Sequence, residues 1–203
     1  MDFIWIPAFA GMTAKNNMAL KNKLLLHVCC IGCGAYVLEL LKSEYDITLY
    51  FYNPNVEPRA EYDKRLQEAA KVAAQFGVKL VEEEYDNDHW HELVIGHEQD
   101  LERGERCRIC YRARLEKTAR YAQANKFNFF TTTLTISPHK DAEAINKIGL
   151  ELGEKYGVAF LARDFKKQDG FKKTCALSHE LNLYRQEYCG CGYSLRDMLA
   201  RKK

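Results

Sequence analysis

The chain has no apolar run long enough to cross a bilayer, so no spanning helix is expected. Its first residues, MDFIWIPAFAGM, are apolar but carry neither the basic start nor the length of a secretory leader. Charge of one sign is also missing in bulk. The formal value is +2 at pH 7, so overall charge names no partner. Internal repeats and low-complexity tracts are absent too. These absences argue against a membrane, repeat or disordered protein. They leave 203 residues with 47% hydrophobic content, enough for one globular domain. Without export, a cytoplasmic and reducing environment is expected.

Cysteine is what the chain has in excess. Seven of its eight cysteines fall in three short groups. Cys29, Cys30 and Cys33 lie in HVCCIGC, Cys107 and Cys110 in RCRICY, and Cys189 and Cys191 in EYCGCG. Cysteines that only fill a core do not group this way, and in a reducing compartment such thiols point to metal ligation or redox chemistry. Cys175 stands alone in FKKTCALS and reads as a helix-packing residue.

Residues 1–22 show no period and look foreign to the rest. The segment IWIPAFAGMT resembles translated dispersed repeats of bacterial genomes, which would start the folded domain near Met18. An ordered N-terminal arm is the other reading. From Lys23 onward, strand and helix patterns alternate. Strands are expected at 24–28, 47–52, 78–82, 127–134 and 158–162. Helices are expected at 35–42, 59–76 (capped by Gly77), from about His89, 112–125 and 141–156 (ended by Gly157), with short helices at best thereafter. This predicts a single α/β domain over 23–203. Its sheet is mostly parallel with flanking helices, Rossmann-like or adenine nucleotide hydrolase-like. Ligands of such sheets bind beyond the strand carboxyl ends. The cysteine-rich metal site is therefore expected there. Cys29 and Cys30 follow the first strand, Asn53 and Asn55 the second, and Thr132, Thr133, Ser137, His139 and Lys140 the fourth.

Cys107-x-x-Cys110 is a common ligand pair for zinc or an iron–sulfur cluster, and Cys29 with Cys30 completes four thiolates. Directly adjacent cysteines are unusual around one zinc, whereas a cubane offers separate irons, so iron–sulfur is preferred over zinc. Unligated reduced thiols are the plain alternative. Cys189-Gly190-Cys191 reads as a redox-active dithiol, because a one-residue spacer makes any disulfide strained and easily reduced. The other reading makes one of the two a ligand. Cys33 either replaces a ligand or lines the site. Arg103, Arg106, Arg108, Arg112, Arg114, Lys117 and Arg120 crowd the second cysteine group. A near-neutral protein with such a cluster is expected to bind a polyanion, with Arg112 and Arg114 on phosphates and Tyr111, Tyr184 and Tyr188 stacking on bases. The bland alternative is a solvated face neutralised by Glu102, Glu105 and Glu116.

Taken in order, HVCCIGC, FYNPNVEPRAEYDKR, RCRICYRARL, FTTTLTISPHKD and LYRQEYCGCGYS resemble the cobalamin-independent epoxyqueuosine reductase family, from about Leu24 to Ser194. The resemblance implies reduction of the epoxide of epoxyqueuosine in tRNA to an alkene, the last step of queuosine synthesis. It implies a [4Fe-4S] cluster on Cys29, Cys30, Cys107 and Cys110, a redox-active disulfide of Cys189 and Cys191, and no cobalamin. An electron donor is required but not identified, and an additional iron is left open. His139 or an acidic residue is the expected proton donor. Where the family usually has Ala-Pro before its third cysteine, this chain has Ile31-Gly32, a departure that bears on the local backbone. The layout is also similar to that of ATP-dependent tRNA thiolases, but CCIGCG replaces their Gly-Ser-rich phosphate loop, so ATP is not expected. Two rivals follow: a tRNA sulfur transferase carrying a persulfide on Cys189 or Cys191, and a zinc-containing RNA-binding module.

Overall fold

Leu24, Leu25 and Leu26 are consecutive and fully buried, so the strand that carries them is covered on both faces. This strand, β1 (Asn22–His27), is the centre of the sheet. The computed structural model describes residues 21–202. In it, β1 pairs in parallel with β2 (Tyr45–Phe51) on one side and β4 (Phe129–Thr132) on the other. β3 (Lys79–Glu82) and β5 (Ala159–Phe160) add parallel edges, giving the order β3-β2-β1-β4-β5. The direction of winding reverses between β1 and β4, and their carboxyl ends therefore open a crevice. Among the described residues no helix is long and apolar enough to cross a membrane.

Right-handed crossovers divide the helices into two layers. In one layer, α1 (Ile31–Leu41) packs on α2 (Arg59–Phe76) and on α6 (Gly170–Glu180). In the other, α4 (Glu105–Ala124) packs on α5 (Ala142–Tyr156). A short α3 (Asn87–Leu93) precedes α4, and α7 (Gly192–Arg201) ends the described chain. The helix at 59–76 has the expected bounds. Gly77 and Gly157 close α2 and α5 in the left-handed region, both with φ of 65°, as their positions after the last apolar residue predict.

The main differences from expectation lie at the cysteines. α1 begins at Ile31, directly after Cys30, rather than at residue 35, and takes Cys33 into its first turn. α4 begins at Glu105 rather than 112, so Cys107 and Cys110 sit on its first two turns. There the helix dipole favours negative charge. Short polar and cysteine-rich runs carry no apolar period, so these first turns were illegible. β4 ends at Thr132 and continues as a 3-10 turn, Thr133–Ile136. β1 begins at Asn22, one residue inside the expected extension, most of which lies outside the described residues.

Gly149 of α5 lies against β5 so closely that a Cβ would stand 2.3 to 2.5 Å from three ring carbons of Phe160. That ring is held by Phe130, 5.0 Å away between centroids. Gly149→Ala is expected to cost about 1–3 kcal/mol by overpacking. The urea midpoint should drop, and Phe160→Leu in the same chain should restore part of it. An unchanged midpoint for Gly149→Ala would contradict the packing.

Candidate functional site

Cys29 and Cys30 leave β1 over a rigid floor. The His27 side chain is fully buried, with Nε2 3.1 Å from the Tyr52 carbonyl and Nδ1 2.9 Å from Thr132 Oγ1. The carbonyl can only accept, so Nε2 carries the proton and the Thr132 hydroxyl donates to Nδ1. Burial, helped by the charge of Arg114, pushes His27 down to about 3, so it is neutral. Asn53 Nδ2 donates to the Val28 carbonyl at 2.9 Å and fixes the turn into Cys29.

The dithiol loop is brought to the same place by two side chains. Arg65, buried on α2 and paired with Glu61 at 2.8 Å, donates to the carbonyls of Cys189 (3.1 Å) and Tyr188 (3.3 Å). Its Nη1 also stands 3.8 Å from Cys29 Sγ. One guanidinium thus ties the loop after β1 to the loop of the third cysteine group. Glu57 holds the other side of that loop, accepting from the Gly192 backbone N–H at 3.0 Å and bonded also to Asn87 and His91. Gly190 is required between them. Its φ is 127°, and a Cβ there would stand 2.8 Å from Arg65 Nη1. Sequence reasoning missed Arg65 and Glu57. Arg65 falls on the buried face of α2 with Tyr62 and Ala69, and a cation at an apolar helical position was the available signal.

Cys110 is buried behind the loop with Cys191, Trp90 and Val94. Arg106 anchors the start of α4, its backbone N–H on Asp100 Oδ2 at 2.9 Å and its guanidinium on the carbonyls of His97 and Glu98. Arg114 is also buried, and its Nη1 and Nη2 have no hydrogen-bond partner among the described residues. Its charge acts on Cys110, Cys29 and Cys189. Lys140 donates to Cys189 Sγ at 3.0 Å and also acts on Cys29.

These cations divide the thiols. Burial opposes ionisation of Cys189, but the Lys140 ammonium, its hydrogen bond and Arg114 outweigh it and hold the thiol below its ordinary value. Cys191 moves the other way, raised by burial and then by the charge on Cys189. Burial pushes Cys110 up to about 12 and raises Cys107 as well. Cys33 falls to about 6, first through its neighbour Cys30, whose own thiol is raised and donates to Gln186.

A recess of about 440 Å³ opens onto this cluster, walled by Cys33, Cys107, Ser137, His139, Lys140, Cys189 and Cys191. Gln186 closes it, bonded to both Cys30 and Cys33. Several residues expected to contact substrate lie away from the recess wall. Asn53, Asn55, Thr132 and Thr133 are buried outside the recess wall. Thr132 and Asn53 serve the backbone, and Thr133 packs on Gly34 of α1. Arg114 cannot meet a phosphate at the surface, because its side chain is spent on the cysteine cluster. Arg112 is exposed but pairs with Glu151 in a separate groove between α4 and α5.

An uncompensated buried guanidinium costs several kcal/mol. The unpartnered Arg114, with Arg65 and Lys140, therefore fits a site that holds a net negative group. Cys29, Cys30, Cys107 and Cys110 are four soft sulfur donors on two elements, and a thiolate-ligated iron–sulfur cluster is such an anion. Among the described residues, no three His, Cys, Asp or Glu side chains are already gathered as for a single metal ion. A cluster spreads its ligands over separate irons.

Lys140→Met is expected to move the alkylation midpoint of Cys189 to higher pH, since the thiolate loses its ammonium. Lys140→Arg should keep most of the shift. Peptide-resolved iodoacetamide labelling across pH reads this, and identical midpoints in all three proteins would refute the contact.

The sequence profile described as Epoxyqueuosine reductase QueH matches residues 24–197. An epoxyqueuosine reductase QueH from Haemophilus influenzae is 42% identical over 178 residues, covering 87% of this chain and 73% of its own. Another from Thermotoga maritima is 37% identical over 175 residues, covering 85% and 90%. A predicted subunit of tRNA methyltransferase from Methanocaldococcus jannaschii shares the fold alone, at TM-score 0.50 and 16% identity, covering 77% of this chain and 75% of its own. On a profile that spans the cysteine groups, the sheet and the recess, the chain belongs to the epoxyqueuosine reductase QueH family.

Proposed function

We propose that this recess reduces the epoxide of epoxyqueuosine, carried in tRNA, to the alkene of queuosine. The observation that carries the reading is the convergence of three cysteine groups and three inward cations on one recess at the sheet's crevice. Cys29, Cys30, Cys107 and Cys110 hold a [4Fe-4S] cluster, which supplies one-electron transfer and Lewis acidity next to the recess. Neither cobalamin nor ATP takes part, and the protein works in the cytoplasm.

The reaction balances on the dithiol. Epoxide removal takes two electrons and two protons and releases water. Oxidation of the Cys189 thiolate and the Cys191 thiol to a disulfide yields two electrons and one proton, and His139 supplies the second proton. An external donor then reduces the disulfide for the next turnover. Lys140 keeps Cys189 as the ready thiolate, while Cys191 retains its proton. His139, exposed at the recess wall beside Ser137, delivers a proton to the departing oxygen.

Two variant pairs separate ligands from redox thiols. Cys107→Ser with Cys110→Ser should strip most of the iron from protein purified without oxygen. Cys189→Ser and Cys191→Ser should each keep the iron and lose turnover by at least a hundredfold. Full iron in the first pair, or iron loss in the second, reassigns those cysteines. Nucleoside analysis of a deletion strain with no other epoxyqueuosine reductase should find epoxyqueuosine accumulating in tRNA. Queuosine formed normally in that strain, or sulfur found incorporated by the purified protein, would sink the reductase reading.

A further inference from the structure

Where the RNA lies can be read from the charges that remain available, an inference that rests on the reading of the substrate as tRNA. The densest run of cations in the sequence is on α4, yet that helix is a poor track for phosphate. Arg106 and Arg114 turn inward, and Arg103 is engaged with the carbonyls of Pro138 and His139. Of the outer cations, Arg112 pairs with Glu151, Arg108 with Glu105 and Lys117 with Glu83, while Arg120 is exposed without an ion pair among the described residues, near the end of α4 remote from Cys107. Surface pairs are worth about 0–1 kcal/mol and would yield to a phosphate. The balance of charge decides instead. The groove between α4 and α5 sets Arg108, Arg112 and Lys147 against Glu105, Asp141, Glu143 and Glu151, one carboxylate in excess.

The rim of the thiol recess has the opposite balance. Its lining sets Arg106, Lys140, Arg185, Arg201 and Lys202 against only Glu102, Glu187 and Asp197, and with Arg106 and Lys140 turned inward, Arg185 and Arg201 are the cations left at the opening. Two carboxylates are already taken, Glu187 by Lys202 and Asp197 by Arg196. Arg185 and Arg201 are exposed and make no ion pair among the described residues. Phe171, the first apolar residue of α6, lines the same rim, and exposed Lys172 follows it. Arg185 reaches back to α6 at Cys175 (3.3 Å), so these cations share one side of the opening. Phe171, Tyr188 and Met198 place apolar surface in the recess between them. Cations on a rim around an aromatic interior are the arrangement that binds a single-stranded loop with one base turned inward.

We propose that the RNA strand bearing the reactive nucleoside crosses the recess over Lys172, Arg185 and Arg201, which meet its phosphates, and does not run along α4. Lys172→Gln, Arg185→Gln and Arg201→Gln, singly and together, test this in the full chain. The probe is an anticodon stem-loop RNA, read by fluorescence anisotropy from low to high salt. Each single change should lower the slope of log affinity against log salt by about 0.7–0.9, and the combined variant by about two to three. Arg108→Gln with Lys147→Gln, in the acid-rich groove, should leave both slope and affinity unchanged.

A combined variant with the wild-type slope overturns the proposal. So does an equal loss from the α4–α5 pair, or wild-type protein with no salt-dependent RNA binding. Turnover of epoxyqueuosine-containing RNA is measured beside binding. Predicted binding without epoxide reduction sinks the reductase reading and leaves this surface standing. Unchanged KM for RNA in the combined variant, with normal kcat, sinks the surface and leaves the reductase.

Discussion

Three cations pointing inward dictate the architecture of this protein. Arg65 and Arg114 are almost fully buried, and Lys140 is half-buried beside them. Removing a charge from water costs several kcal/mol after relaxation, more than any surface pair repays. Arg65 meets that cost with Glu61 and two carbonyls. Arg114 donates from Nε to the Cys110 carbonyl at 3.1 Å, but its Nη atoms have no hydrogen-bond partner among the described residues, and its charge acts chiefly on the thiols. The charge of Arg114 therefore favours negative groups at the centre, where the elements that supply the thiols converge.

The parallel sheet makes that convergence possible. β1 and β4 end side by side with His27 paired in register to Thr132, and the chain leaves them in opposite directions. Cys29 and Cys30 fall where β1 ends, and the 3-10 turn after β4 leads to Ser137 through Lys140. α4 starts beneath the same edge and presents Cys107 and Cys110 from its dipole-positive end. The neutral, locked His27 keeps this floor from changing charge near neutral pH.

The sheet, the order of its helices and the position of the cysteines were legible in the sequence, because buried strands and long amphipathic helices have periods that survive reading. Gly77 and Gly157 marked helix ends for the same reason. The direction of single side chains was not legible. Arg106, Arg112 and Arg114 looked alike as a basic run, yet two turn into the core and one faces a carboxylate across a groove. A helical period assigns faces only when apolar residues mark them, and on α4 cations occupy part of the buried face. Asn53 and Thr132 stood at strand exits, where ligands bind, but those exits also need backbone partners, and that need took both side chains. Arg65 offered only a cation on an apolar helical face, and Glu57 no signal, until the distant Cys189 loop was seen to rest on them.

That loop is held differently from the thiols it faces. α7 has no buried residue, so beyond Cys191 against Trp90 and Val94 the dithiol segment draws little stability from apolar packing. Polar links hold it instead: Arg65 to two carbonyls, Glu57 to Gly192, and the Tyr188 hydroxyl to the Glu57 carbonyl. Net contributions of about 1 kcal/mol for each neutral bond and about 1.5–3 for those to charged groups make this a firm but reversible attachment. Its local opening costs less than opening the sheet. Cys29 and Cys110 sit in packed elements that do not move with it. A single guanidinium thus joins the packed sulfur of Cys29 to the polar-tethered loop of Cys189, and the two groups of thiols meet at one recess without the tether passing through the core.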